Sequence, residues 1–149
     1  MNSPIDPIAQ MIDAYKEAVL TKNIDAFCAL YDADIHIFDM WNHWYIQGIE
    51  AWKTMANAWF ISLGTEYVTV DAHNVESVVT DDMAYGHAIF SYTAMSAQGE
   101  VLRTLDNRIT IVLKRSGDFW KVIHEHTSAP IDHGSLAANL IYDEEIGSK

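Results

Sequence analysis

The chain has 149 residues, of which 9 are Lys or Arg and 21 are Asp or Glu, giving a formal net charge of −12. This balance argues against nucleic-acid binding, which needs a basic surface, and predicts repulsion from anionic lipid surfaces. The single cysteine, Cys28, excludes a disulfide framework and a metal site built from several cysteines.

The length and the lack of Pro/Gly-rich linkers predict one domain over residues 1–149, with a core at about 8–132 and an acidic C-terminal tail at 133–149. Half of the residues are hydrophobic, which is enough for a full core. We find no signal peptide pattern and no apolar run near the ~18 residues of a transmembrane helix. We therefore expect a soluble, cytoplasmic protein.

The first half of the chain shows the three-and-four spacing of apolar residues that is typical of helices. Gly64 follows the last of these helical segments. The elements predicted here are, in chain order, a helix from Ile8 to a break at 21–23, a helix at about Ile24–Tyr31, a strand at Ile35–Asp39, a loop at Met40–Gly48, and a helix at about Ile49–Leu63.

The second half alternates apolar and polar residues between turn signals, which is typical of strands. The predicted strands are Tyr67–Val70 leading into Asn74–Val79, then Ala84–Met95, Val101–Lys114 and Phe119–Ser128. Helices followed by antiparallel strands indicate an α+β fold. We expect three N-terminal helices packed on one face of a strongly curved, mostly antiparallel sheet of four to six strands.

The last predicted strand carries an unusual polar face. Residues two apart on a strand share a face, so His124 and His126 lie together with Trp120 and Val122. A three-residue turn at 116–118 would place His124 opposite Thr110 and His126 opposite Arg108. If this face turns towards the helices, it lines a cavity with polar walls.

The opposite face of the same hairpin is apolar and carries Ile109, Ile111 and Leu113. If that face is the core instead, the histidines are merely solvated. We favour the cavity interpretation because Trp120 and Val122 share the histidine face. The Ile/Leu face then needs a cover, which predicts a homodimer packed through the outer face of the sheet.

Two segments carry a family resemblance that covers about residues 8–132. They are DAYKEAVLTKNIDAFCALYDADIHIFD, from Asp13 to Asp39, and RITIVLKRSGDFWKVIHEHTSAPID, from Arg108 to Asp132. The order of elements and these segments resemble the nuclear transport factor two-like superfamily, which includes the ketosteroid isomerases and the SnoaL-like polyketide cyclases. The resemblance implies a cystatin-like α+β barrel with a cone-shaped cavity.

The first segment resembles the opening of the isomerases. There, an aspartate moves a proton at carbon while a tyrosine on the first helix donates a hydrogen bond to the developing enolate. The matching residues are Asp39 and Tyr15. The isomerases' second, protonated acid has no match, because its approximate place falls at Thr110. The second segment resembles the SnoaL-like closing hairpin, whose pattern is R-x-T, G-x-W and H-x-H-x-S, although Gly117 and Trp120 here are one position further apart than in that pattern.

From these patterns we select ten candidate site residues. An apolar setting suits Asp39 as a general base, and an H-x-H pair can supply donors or acid/base groups. A metal would need a third ligand that no spacing identifies, so we expect neither a metal nor another cofactor. The candidate catalytic residues are Asp39, Tyr15, His124 and His126, and the candidate ligand-binding residues are Arg108, His87, Trp44, Trp59, Trp41 and Thr110.

Each candidate has a structural alternative. Asp39 could cap a loop, Tyr15 and Trp59 could be ordinary core residues, and the histidines could only form structural hydrogen bonds. The favoured hypothesis is a cofactor-free isomerase, cyclase or lyase acting on a small apolar carbonyl compound. The alternative is a non-catalytic module of the same fold that binds a small ligand or serves dimerisation.

Overall fold

The computed structural model describes residues 6–143. Within this range the chain forms α1 (Pro7–Leu20), α2 (Ile24–Cys28), β1 (Tyr31–Phe38), β2 (Ile46–Gln47), α3 (Ile49–Leu63), β3 (Tyr67–Val79), β4 (Met83–Met95), β5 (Val101–Ser116) and β6 (Phe119–Ser128). The helices pack on a six-stranded curved sheet, which confirms the predicted α+β class.

Side chains next to the helices determine where they begin. The carboxylate of Asp6 accepts a hydrogen bond from the Ile8 N–H at 2.9 Å, and Pro7 occupies the first turn of α1. Asn23 caps α2 in the same way through the Ala26 N–H. Gly64 ends α3 with a φ of 58°, a conformation that favours glycine.

The sheet has the strand order β2-β1-β6-β5-β4-β3. All neighbouring strands are antiparallel except β1 and β6, which run parallel in the middle of the sheet. This parallel pairing brings the end of β1, where Asp39 follows, beside the end of β6.

The core lies between the helices and the concave face of the sheet. Ile109, Ile111 and Leu113 of β5 point into it and are almost fully buried. α1 approaches β4 closely at Gly86, where an added Cβ would lie 2.6 Å from Ile8 Cγ2. The Ile/Leu face is therefore covered by the chain's own helices, and the reason for predicting a partner subunit on that face is wrong.

The predicted face of β6 is also wrong beyond its midpoint. The β5–β6 turn has two residues rather than three, since Ser116 pairs with Phe119. Leu113 pairs with Val122 but Val112 pairs with His124, so Ile123 is an extra, bulged residue. Because a bulge reverses the alternation of side chains, the histidines that follow it face away from the core.

The element boundaries differ from the prediction at three places. α2 ends at Cys28, because Tyr31 begins β1 with its side chain buried. β2 lies inside the predicted loop and pairs with His36 and Ile37 of β1. The continuous β3 contains an irregularity between His73 and Glu76, where its pairing with β4 shifts by one residue.

The predicted tail at 133–149 is described only as far as residue 143, and 144–149 lie outside the described residues. Its described part runs beside β5, where Leu140 O accepts a hydrogen bond from the Asp106 N–H at 2.8 Å. Ile131 and Ala138 form an isolated β-bridge. No helix within residues 6–143 is long and apolar enough to span a membrane.

Candidate active site

A cavity of about 470 Å³ lies between the helices and the concave face of the sheet. This volume is within the range of small-molecule sites. The apolar part of its lining comes mainly from α3 and the sheet, namely Trp52, Met55, Ala56, Trp59, Leu63, Val68 and Ala94, with Phe27 from α2. Its polar lining includes Tyr15, Asp39, Tyr92, Asn107, Glu125 and Thr127.

Asp39 enters the cavity because it directly follows β1. The Thr127 hydroxyl donates a hydrogen bond to Asp39 Oδ1 at 3.1 Å, and the same hydroxyl accepts one from the Met40 N–H at 2.9 Å. Burial raises the pKa of Asp39 because the charged form loses solvent, while hydrogen bonds from Thr127 and from backbone N–H groups oppose the rise. Asp39 is thus a better proton acceptor than an exposed aspartate.

A second carboxyl group, Glu125 of β6, lines the same cavity and is 2% exposed. The Tyr31 hydroxyl donates a hydrogen bond to Glu125 Oε1 at 2.8 Å. Burial raises the pKa of Glu125 to about 7, and the charge of Asp39 adds to the rise, although the Tyr31 bond opposes it. Near neutral pH, Glu125 can therefore either donate or accept a proton.

Two tyrosine hydroxyls meet at the cavity wall. Tyr15 of α1 and Tyr92 of β4 are 2.9 Å apart, oxygen to oxygen. Burial raises the pKa of both phenols, which keeps them protonated. Because only one hydroxyl can donate to the other, the second proton of the pair is available to another acceptor.

Asn107 of β5 adds an unsatisfied polar atom to the lining. Its Nδ2 donates to Met40 Sδ at 3.6 Å. Its Oδ1 is buried and has no hydrogen-bond partner among residues 6–143. Since buried polar atoms are nearly always paired, this oxygen is a ready acceptor for a ligand donor.

The structure places four of the ten predicted site residues in the cavity lining, namely Tyr15, Asp39, Trp41 and Trp59. Trp41 is 46% exposed and lies at the open end. Trp44, from the same loop, is 91% exposed and is absent from the lining, so its predicted position at the cavity is wrong.

The other five predicted residues lie on the outer face of the sheet and do not line the cavity; they are His87, Arg108, Thr110, His124 and His126. The two β6 histidines point outwards because the bulge at Ile123 reverses the alternation of side chains. On β5, Ile109 and Ile111 point inwards. Their neighbours Arg108 and Thr110 therefore point outwards.

On the outer face, these side chains are arranged in rows across the strands. His126 pairs with Thr110 and Phe38, and His124 pairs with Val112 and His36. The Phe38 ring lies 5.1 Å from that of His124 and 5.3 Å from that of His126. His124 Nδ1 is 2.7 Å from the His36 carbonyl oxygen.

Arg108 and His87 have partners on this outer face. Arg108 Nε donates to Ser128 Oγ at 2.9 Å, and His87 Nε2 lies 3.5 Å from Glu76 Oε2. In the part of the chain that the structure describes, no group of three or more His, Cys, Asp or Glu side chains is placed to hold a metal ion.

The sequence prediction missed the cavity residues Glu125, Thr127, Tyr92, Asn107 and Arg103. The sequence held a signal for two of them, Asn107 and Arg103, namely the unbroken apolar alternation of Ile109, Ile111 and Leu113, which marks the core face of β5. Asn107, Leu105 and Arg103 continue that same face towards the start of the strand.

Comparison with known proteins identifies the family. The family model for the SnoaL-like domain matches residues 8–132. The chain belongs to the SnoaL-like family. The predicted membership of the NTF2-like superfamily is confirmed by this match and by solved structures described as NTF2-like. No curated protein matches this SnoaL-like chain.

Solved structures similar to this SnoaL-like protein include the following three. An NTF2-like protein of unknown function from Pseudomonas putida KT2440 is 25% identical, with a TM-score of 0.79 over 91% of this chain and 93% of that one. An uncharacterised protein with a cystatin-like fold from Caulobacter vibrioides is 14% identical, with a TM-score of 0.68 over 96% and 93%. An NTF2-like family protein from Streptomyces avermitilis, for which a dehydratase activity has been suggested, is 16% identical, with a TM-score of 0.67 over 85% and 95%.

Proposed function

We propose that the protein is a cofactor-free acid–base enzyme, an isomerase, cyclase or lyase, that acts on a small and mostly apolar carbonyl compound inside the cavity. One observation carries this proposal. Two carboxyl groups whose pKa values are raised, Asp39 and Glu125, line a largely apolar cavity together with the Tyr15–Tyr92 hydroxyl pair. Raised carboxyl pKa values in a cleft are typical of catalytic acids and bases.

In the proposed reaction, Asp39 removes a proton from the carbon beside the carbonyl group. The electron pair moves onto the carbonyl oxygen, and the free hydroxyl proton of the tyrosine pair donates a hydrogen bond to that oxygen. Pre-placed donors of this kind stabilise developing charge strongly, because the apolar walls exclude water.

Glu125 then completes the proton transfer. Its carboxylic acid form donates a proton to a second carbon of the enolate, which gives an isomer, or to a departing hydroxyl group, which gives loss of water. A pKa of about 7 makes both protonation states of Glu125 available at neutral pH. The dehydratase activity suggested for the Streptomyces avermitilis relative is the second of these outcomes.

The direct test is proton exchange at carbon, which needs no knowledge of the natural substrate. The protein is mixed in D₂O with 2-cyclohexenone, 1-indanone and 2-tetralone, and the loss of the proton NMR signals beside the carbonyl is followed. We expect exchange with at least one ketone to be faster than in buffer alone. No acceleration for any ketone, at protein concentrations where the ketone binds, would contradict the proposed chemistry.

That contradictory outcome is the expected result of a second candidate function, ligand binding without chemistry. The observation that favours it is the hydrogen bonding of Asp39, because the Thr127 hydroxyl and backbone N–H groups stabilise its charged form. These hydrogen bonds oppose the rise in the pKa of Asp39 that burial causes, so Asp39 is a weaker base than a buried carboxylate without them. Binding of a ketone with no exchange would support this candidate.

We also propose that a second copy of the chain covers the outer face of the sheet. Exposed aromatic side chains, Phe38 at 40% and Tyr85 at 43%, lie there among the histidines. Arg108 lies on the same face, and the Glu76 carboxylate there is 3.5 Å from His87 Nε2. A second copy that packs on this face removes the exposed aromatic rings from water.

Light scattering after gel filtration tests this arrangement. We expect a dimer for the wild type and a monomer for Phe38→Glu, because the substitution places two like charges at the interface. Ile61→Glu is the matched control, since Ile61 is 71% exposed on α3, which packs on the opposite, concave side of the sheet. A monomeric wild type, or a Phe38→Glu variant that stays dimeric, would show that this face is not the interface.

A further inference from the structure

We propose that Arg103 binds a carboxylate of the substrate at the open end of the cavity, so that the substrate is an apolar carbonyl compound with an acidic group at one end. This inference rests on the proposed function, because it assumes that the cavity is the substrate site. The inference adds two points to the proposed function, namely the chemical class of the substrate and the orientation of the substrate in the cavity.

The position of Arg103 follows from the register of the sheet. Arg103 pairs with Ala94, a cavity residue of β4, and shares the concave face of β5 with Leu105 and Asn107. The side chain of Arg103 is 59% exposed whereas Asn107 is 7% exposed, so this row runs from the mouth of the cavity to its interior. Four residues of a strand span about 13 Å, which is room for a fused two-ring compound.

Charge separates the two ends of the cavity. Arg103 is the one Lys or Arg side chain among the lining residues that the structure describes. The interior carries the carboxyl groups of Asp39 and Glu125, which disfavour a negative charge on the ligand nearby. A ligand carboxylate is therefore disfavoured in the interior, and the lining side chain that can pair with it is Arg103, whose charge is already partly balanced by Glu66 at 2.7 Å. The acidic end of the ligand then lies at Arg103 and its carbonyl end among the interior polar groups.

The guanidinium group of Arg103 is held in place but not fully used. Its Nη2 donates to Glu66 Oε1 at 2.7 Å. The backbone of that segment is itself held, since Lys22 Nζ donates to the carbonyl oxygens of Gly64 and Glu66, each at 2.7 Å. A guanidinium has five N–H donors in a rigid plane, so an edge remains that can bind a carboxylate through two hydrogen bonds.

The test compares two fluorescent probes that differ by one carboxylate, 2-naphthol and 6-hydroxy-2-naphthoic acid, at pH 7 and low salt. We expect Arg103→Gln to weaken binding of the naphthoate roughly three- to ten-fold and to leave the Kd of 2-naphthol unchanged, because the contact is partly exposed. Arg115→Gln is the matched control, with the same change in charge at the end of β5, where Arg115 Nε donates to Gly117 O.

The outcomes separate this inference from the proposed function. Specific loss of naphthoate binding in Arg103→Gln, reduced in 1 M NaCl, supports the carboxylate subsite. If both probes bind equally well to the wild type and to Arg103→Gln, the subsite is refuted while the cavity still binds apolar ligands. Equal weakening of both probes also refutes it, because Arg103 then shapes the cavity only. If neither probe binds the wild type, both proposals fall.

Discussion

Replacing Glu125 by glutamine is expected to raise the free energy of unfolding by about 3 kcal/mol at pH 8 and by much less at pH 4.5. Glutamine has nearly the same shape, and its amide oxygen can still accept the hydrogen bond from Tyr31. The substitution therefore removes mainly the cost of burying a charge. Urea denaturation across this pH range measures the effect.

The direction of this change in stability follows from the raised pKa of Glu125. The carboxyl group titrates near 4.5 in the unfolded chain and near 7 in the folded protein. Between these values the folded protein holds a proton that the unfolded chain has released, so stability falls as the pH rises through this window. Well above pH 7 this loss of stability is complete. The glutamine variant does not undergo it, because its amide does not titrate. The raised pKa of Asp39 contributes in the same direction and remains in the variant.

The matched control for this experiment is Glu100→Gln, because Glu100 is exposed in the turn between β4 and β5. We expect its stability to follow that of the wild type at every pH. A Glu125→Gln variant that is less stable than the wild type at pH 8 would contradict the assignment of Glu125 as a buried, destabilising carboxyl group. The same variant is expected to keep proton exchange beside the carbonyl group, which needs Asp39, and to lose proton donation to the second carbon or to the departing hydroxyl group, so Glu125 would favour function over stability.

Replacing Asp39 by asparagine is expected to lower the rate of proton exchange at carbon by a factor of about 10²–10⁴. The amide cannot accept the substrate proton, yet its oxygen can keep the hydrogen bond from Thr127, so the loop after β1 should retain its conformation. Rates are compared by NMR with the ketone on which the wild type is fastest. Binding of 2-naphthol should be retained, because the apolar walls are unchanged.

The sequence was sufficient for the fold class and for two of the polar cavity residues. Tyr15 lies on the apolar face of α1, and Asp39 follows directly after β1, so local patterns define both positions. Trp59 was predicted in the same way from the helical spacing in α3. The resemblance to the isomerases points to Tyr15 and Asp39, and their placement, like that of Trp59, depends only on a helix face or on the end of a strand, with no long-range register.

The histidines were assigned to the wrong face because a strand face depends on register. One extra residue, Ile123, reverses the direction of every later side chain in β6. Sequence alone gives no signal for that bulge, whereas the alternation of Ile109 and Ile111 on the partner strand gave the correct face. β5 is the more apolar of the two strands, and its alternation predicts that Arg108 and Thr110 lie outside the cavity.

Glu125 could not be identified from sequence for a different reason. A glutamate within a strand is usually solvated, and its neighbours His124 and His126 are polar as well. Its burial depends on Tyr31 of β1, which lies 94 residues earlier in the chain and donates the hydrogen bond that Glu125 accepts. Only the parallel pairing of β1 with β6 brings the two residues together.

We propose that the chemistry takes place in the cavity and not on the outer histidine face. The most direct measurement is the exchange rate of Asp39→Asn beside that of the double variant His124→Ala/His126→Ala, on the same ketone. The expected result is loss of exchange in the first variant and a rate near that of the wild type in the second. The opposite result, with activity kept without Asp39 and lost without the histidines, would contradict the account.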